Sequence, residues 1–202
     1  MSQSALLACG FLSTLLYAAM NVVVPMWYEG YSLSAQTVSE LSAIGAPTRT
    51  LWVSLGVLYS LLVICFGWGV WRSAGGNRAL RALGAVTLVN GVFMLYWPPM
   101  HMRGAEFTLT DAMHIVWTVA TVLLMLLAMG FGAAAFGKRF RLYSIVTMVI
   151  LVGFGTLAGL DGPRVQQNLP TPWVGVWQRI AICAFLAWVV TLTTMLLRRQ
   201  RA

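Results

Sequence analysis

The stretch IVWTVATVLLMLLAMGFGAAAF, Ile115–Phe136, runs for 22 positions without an ionisable side chain. A helix needs about 20 apolar residues to cross the hydrocarbon core of a bilayer, so this run is long enough to span. It is continuous rather than alternating, which excludes a barrel strand of about 10 residues. Ser2–Tyr28, Thr50–Trp71, Ala82–Met100, Leu142–Leu160 and Ile180–Leu197 are similar uncharged runs. The expected fold is all-α: a six-helix transmembrane bundle, with residues 1–202 forming one integral membrane domain.

Composition agrees. Of 202 residues, 59% are hydrophobic and 9% charged, with a mean hydropathy of +0.80. Soluble domains carry about 25% charged residues, so cytosolic enzymes, nucleic-acid modules and secreted domains are excluded. The net charge of +8 is a topology signal. Arg72, Arg78 and Arg81, then Lys138, Arg139 and Arg141, then Arg198, Arg199 and Arg201 occupy alternate connections that hold no acid. The positive-inside rule puts these, with both termini, in the cytoplasm of a cell whose inner membrane holds the protein. Glu29, Glu40, Glu106, Asp111, Asp161, His101 and His114 all fall on the outer side. Trp27, Trp52, Trp97, Trp117, Trp173 and Trp177 form an outer aromatic belt, and Trp68 and Trp71 an inner one. The first run lacks a charged leader and exceeds a signal-peptide core, so it reads as a retained helix.

Within the spans, Cys9, Cys65 and Cys183 read as packing residues. Gly155-x-x-x-Gly159 suits close helix approach, and Asn90 is expected to bond a neighbouring helix.

The outer connections carry the chemistry. Val38, Leu41 and Ile44 recur every three residues, as in a short amphipathic helix at the interface. Thr37-Val38-Ser39-Glu40 fits a capping box, and Gly45-Ala46-Pro47 stops the helix. Asp111 and His114 share a face at the start of the fourth span. With His101 nearby and Glu40 as a fourth ligand, they form a candidate mixed N/O shell for a divalent metal such as zinc. Asp111 also suits a helix start through the dipole alone. Arg179, opening the sixth span, must snorkel or pair with Glu40, Asp111, Asp161 or a lipid phosphate.

Ser39-Glu40-Leu41 with Gly45, Asp111-x-x-His114, and Gly175-x-Trp177-Gln178-Arg179 together resemble a family of bacterial six-helix membrane proteins catalogued as domain of unknown function 998. The resemblance covers nearly the whole chain in the expected order. It implies six helices and no established reaction, substrate or cofactor. It singles out Ser39, Glu40, Asp111, His114 and Arg179, and leaves Glu29, Arg103 and Glu106 outside the pattern.

Three functions compete. In the leading one, Ser39, Glu40, Asp111, His114, Gln178 and Arg179 line an outward-facing pocket that binds a lipid headgroup or small polar ligand. In the second, a metal on His101, Asp111 and His114 activates water against a lipid ester or amide, with Glu40 as base and Arg179 at the oxyanion. A serine variant would use Ser39 with His114, although no G-x-S-x-G elbow is present. In the third, the cluster only locks the bundle of an accessory subunit. A nucleic-acid partner is not expected. Haem needs two histidines on facing helices, which His101 in a loop does not supply.

Overall fold

The computed structural model describes residues 2–200, and its framework is helical. Its helices are α1 Gln3–Val23, α2 Arg49–Arg72, α3 Arg78–Phe93, α4 Leu109–Ala135, α5 Lys138–Leu160, the short α6 Gly162–Gln166 and α7 Val174–Arg199. All the long ones except α3 are long and apolar enough to cross a membrane.

The third span departs from expectation. It covers Arg78–Phe93 rather than Ala82–Met100. Asn77 caps its start by accepting the Leu80 amide at 3.0 Å. A helix carried through Pro98 would press the proline ring against the carbonyl of Met94, so the chain leaves the helix before it. Sixteen residues rise only about 24 Å, short of the roughly 30 Å hydrocarbon core.

The short connections 73–77 and 136–137 turn the chain back on itself, and hydrogen bonds between termini and turns put the ends of the bundle in order. Gln3 Nε2 donates to Ser73 Oγ at 2.7 Å, Ser4 Oγ to Gln200 Oε1 at 2.9 Å, and Asn77 Nδ2 to the Ala135 carbonyl at 3.3 Å. Both ends of the described chain therefore share one end of the bundle with the α2–α3 and α4–α5 turns and their cations. Arg201 lies outside the described residues. The connections 24–48, 94–108 and 161–173 gather at the opposite end, where Ile44 N donates to the Met100 carbonyl at 2.8 Å and Gly104 N to the Gln166 carbonyl at 3.0 Å.

Close packing falls where the sequence did not suggest it. A Cβ on Gly84 of α3 would stand 2.5 Å from the Trp71 amide nitrogen of α2, and one on Gly91 2.9 Å from the Ile64 nitrogen. Gly67 of α2 meets the Leu88 nitrogen of α3 at 2.7 Å in the same way. Gly155 and Gly159 have nothing within 4 Å, so the expected G-x-x-x-G contact is not made among the described residues. The core around α4, α5 and α7 is built on Trp188, whose indole N–H donates to Ser144 Oγ at 2.9 Å. Leu142, Val149 and Leu160 are exposed along α5, as a lipid-facing helix requires. The cysteines are unbridged. Asn90 lines a central cavity of about 30 Å³ with Ser13, Thr14, Tyr59 and Thr87. Its Oδ1 is buried without a hydrogen-bond partner, contrary to the expected bond to a neighbouring helix.

Replacing Gly84 with Val should cost about 1–3 kcal/mol, because backbone rather than a side-chain tip must yield. Gly155→Val should stay within about 0.5 kcal/mol. Unfolding in mild detergent measures both.

Candidate functional site

The cap starts from the segment expected to be an interfacial helix. Val38–Ser42 is a single 3-10 turn, for which a spacing of three residues is the natural repeat. Val38, Glu40 and Leu41 are buried, and the chain turns away at Gly45 with φ 93°. The capping box forms as expected: the Thr37 amide donates to Glu40 Oε2 at 2.6 Å and the Thr37 hydroxyl at 2.9 Å.

Glu40 is 1% exposed, so its charge must be met by a partner. That partner is Arg103, not Arg179. Arg103 Nε donates to Glu40 Oε1 at 2.5 Å and Nη2 to Oε2 at 3.0 Å, a bidentate fork. Its remaining donors reach the Ala35 carbonyl at 2.7 Å and Thr171 Oγ1 at 2.9 Å. Thr171 in turn donates to the Ala35 carbonyl at 2.9 Å. One guanidinium thus ties the three outer connections together. Arg103 and Thr171 were missed because neither lies in a periodic segment. The available signal was a single one: an acid on the buried face of a turn demands a cation.

Arg179 does other work. Its Nη1 donates to the Leu33 carbonyl at 2.8 Å and its Nη2 to the Tyr31 hydroxyl at 2.9 Å. It pairs with none of Glu40, Asp111 or Asp161; Asp161 instead lies 4.0 Å from exposed Arg164. Burial pushes the Tyr31 phenol above its ordinary range, with the Arg179 hydrogen bond opposing. The phenol therefore remains a donor, to the Thr37 carbonyl at 2.8 Å. Gln178 Oε1 accepts the Val38 amide at 2.6 Å. A side chain on Gly175 would collide with the Leu33 and Gln36 carbonyls, and its amide donates to the Ser34 carbonyl at 2.8 Å. The Gly175-x-Trp177-Gln178-Arg179 segment is thus a dock for residues 31–38.

Asp111 caps α4, accepting the Thr108 amide at 2.9 Å. It also accepts the His101 amide at 2.7 Å and lies 2.9 Å from His101 Nδ1. His114, one turn on and buried, faces elsewhere. Its Nδ1 is 2.7 Å from the Pro98 carbonyl and its Nε2 3.1 Å from Ser39 Oγ. The expected metal shell is therefore not assembled. His101 pairs with Asp111, His114 with Ser39, and Glu40 with Arg103. No three His, Cys, Asp or Glu side chains stand as a metal-holding group among the described residues.

These features define an all-α, multi-pass membrane protein whose loops form a hydrogen-bonded cap on one end. A family model described as "Protein of unknown function (DUF998)" matches residues 11–195, and the chain belongs to that family. No curated protein and no solved structure matches it.

Removing one partner of a buried ion pair strands the other. Arg103→Ala should cost about 3–5 kcal/mol, whereas Arg164→Ala at the exposed pair should cost under about 1 kcal/mol. Comparing the two unfolding transitions in detergent checks the ranking.

Proposed function

We propose that the capped end binds the polar part of a lipid or a small polar ligand, with the Ser39 hydroxyl and the His114 behind it as the point of contact. The observation supporting this reading is the Ser39–His114 hydrogen bond at 3.1 Å, made by a partly exposed serine to a buried imidazole. The other site residues are committed to the cap. Glu40 is met by Arg103, Asp111 by His101 and Thr108, Gln178 by Val38, and Arg179 by carbonyls and Tyr31. They position the contact rather than form it. Exposed Tyr96, Leu109 and Met113, on the segments that carry Pro98 and His114, give a lipid's apolar part a place to lie.

The use of every Arg103 nitrogen and of both Arg179 Nη atoms within the cap also supports a second reading, in which the cap only clamps the bundle of an accessory subunit. In either case the protein belongs in the inner (cytoplasmic) membrane. Its cationic end faces the cytoplasm and its cap faces outward, in accord with the positive-inside rule.

Lipid retention separates the two readings. Protein moved from detergent into nanodiscs of phosphatidylethanolamine and phosphatidylglycerol, then examined by native mass spectrometry, should keep bound lipid. Ser39→Ala should weaken that retention roughly 5–10-fold, the worth of one or two hydrogen bonds, with the unfolding transition unchanged. Equal retention in both proteins would leave the clamp as the function.

A further inference from the structure

We propose that Ser39 is a nucleophile activated by His114, and that the capped end transfers acyl groups from a lipid ester; this rests on the reading that lipid reaches the cap.

The proton inventory of His114 carries the inference. Its Nδ1 faces two groups with opposite needs. The Pro98 carbonyl, at 2.7 Å, requires a proton on Nδ1, whereas the Trp97 indole N–H, at 3.2 Å, requires a lone pair there. A neutral imidazole cannot satisfy both. Two lone pairs at 2.7 Å would repel, so the shorter contact puts the proton on Nδ1. Nε2 is then the bare nitrogen, and the hydroxyl 3.1 Å away must donate to it. This is the tautomer and the direction of hydrogen bonding that a general base needs beside a serine.

The surroundings hold this arrangement in place. Trp97 packs edge-on to the imidazole with ring centroids 5.7 Å apart. The imidazole is buried while Ser39 is partly exposed, so the base is shielded and the nucleophile reachable. Gln178 fixes the neighbouring Val38 amide, and Glu40 with Arg103 fixes the next residue along. The Pro98 carbonyl takes the orienting place that a carboxylate holds in a triad.

The step balances without a metal. Ser39 Oγ attacks the ester carbonyl carbon as its proton passes to Nε2. The tetrahedral intermediate collapses with cleavage of the acyl carbon–oxygen bond, and the leaving alkoxide takes the proton back from Nε2. The acyl group remains on Ser39 until water or a second alcohol removes it by the same route.

An alkyl fluorophosphonate tests the chemistry without knowledge of the lipid. Ser39 Oγ bonds to phosphorus, fluoride leaves, and the hydroxyl proton departs through His114. Full-length protein in mild detergent should gain the mass of one phosphonyl group, on the peptide containing Ser39. Ser39→Ala should gain none, and His114→Gln should react at least about 100-fold more slowly, the usual worth of a general base. A thermal transition recorded for each variant confirms that it is folded. A folded wild type that stays unlabelled, or labelling that survives Ser39→Ala, overturns the nucleophile. Lipid retention without labelling overturns this inference alone. Labelling at Ser39 without lipid retention overturns the binding reading, and with it the lipid ester as acyl donor, and leaves the nucleophile standing.

Discussion

A carboxylate taken out of water costs several kcal/mol unless a cation meets it in good geometry, and Glu40 is such a carboxylate. Its position is forced. Val38 and Leu41 bury the 3-10 turn, and the capping box turns Glu40 back onto Thr37. Arg103 must therefore come to it from a connection some sixty residues away. Once there, the guanidinium has donors to spare, and Ala35 and Thr171 take them. The cap is the consequence of satisfying one buried charge.

That closure reaches the Ser39–His114 pair through the backbone. Ser39 lies between Val38, pinned by Gln178 of α7, and Glu40, pinned by Arg103. His114 is held from the other side by the non-helical segment at Pro98, the same feature that leaves α3 short. Three elements distant in sequence thus set one hydroxyl against one imidazole. Charged residues that look functional, Arg179 above all, are spent on carbonyls that the irregular connection 31–38 would otherwise leave unmet near lipid.

The spans were legible because crossing a bilayer requires length and apolarity, and both are written locally. The capping box at Thr37 was legible for the same reason: it is a four-residue event. The end of α3 was misplaced because apolar composition continues through Leu95 and Trp97 while proline geometry stops the helix. Gly84 and Gly91 escaped notice because their spacing of seven is ordinary, and only the facing backbone of α2 makes them necessary. In the site, Glu40, Ser39 and His114 could be named from the sequence, the last two as a pair, but the cation that meets Glu40 and the carbonyl that meets His114 could not. Arg179 drew attention as a cation opening a span, whereas Arg103 sits in a loop without pattern. The metal shell failed because shared helical face and chain proximity do not make side chains converge. Asp111 and His114 lie one turn apart yet point to different neighbours.

The dependence of the cap on one ion pair is most directly measured by a double-mutant cycle on Glu40→Gln and Arg103→Gln, with unfolding followed in mild detergent. If the two side chains act as one unit, the double variant will be no less stable than the worse single variant. Their coupling will then be about 2–3 kcal/mol. Losses that simply add would mean that Glu40 and Arg103 contribute separately, and that something other than their pairing holds the connections together.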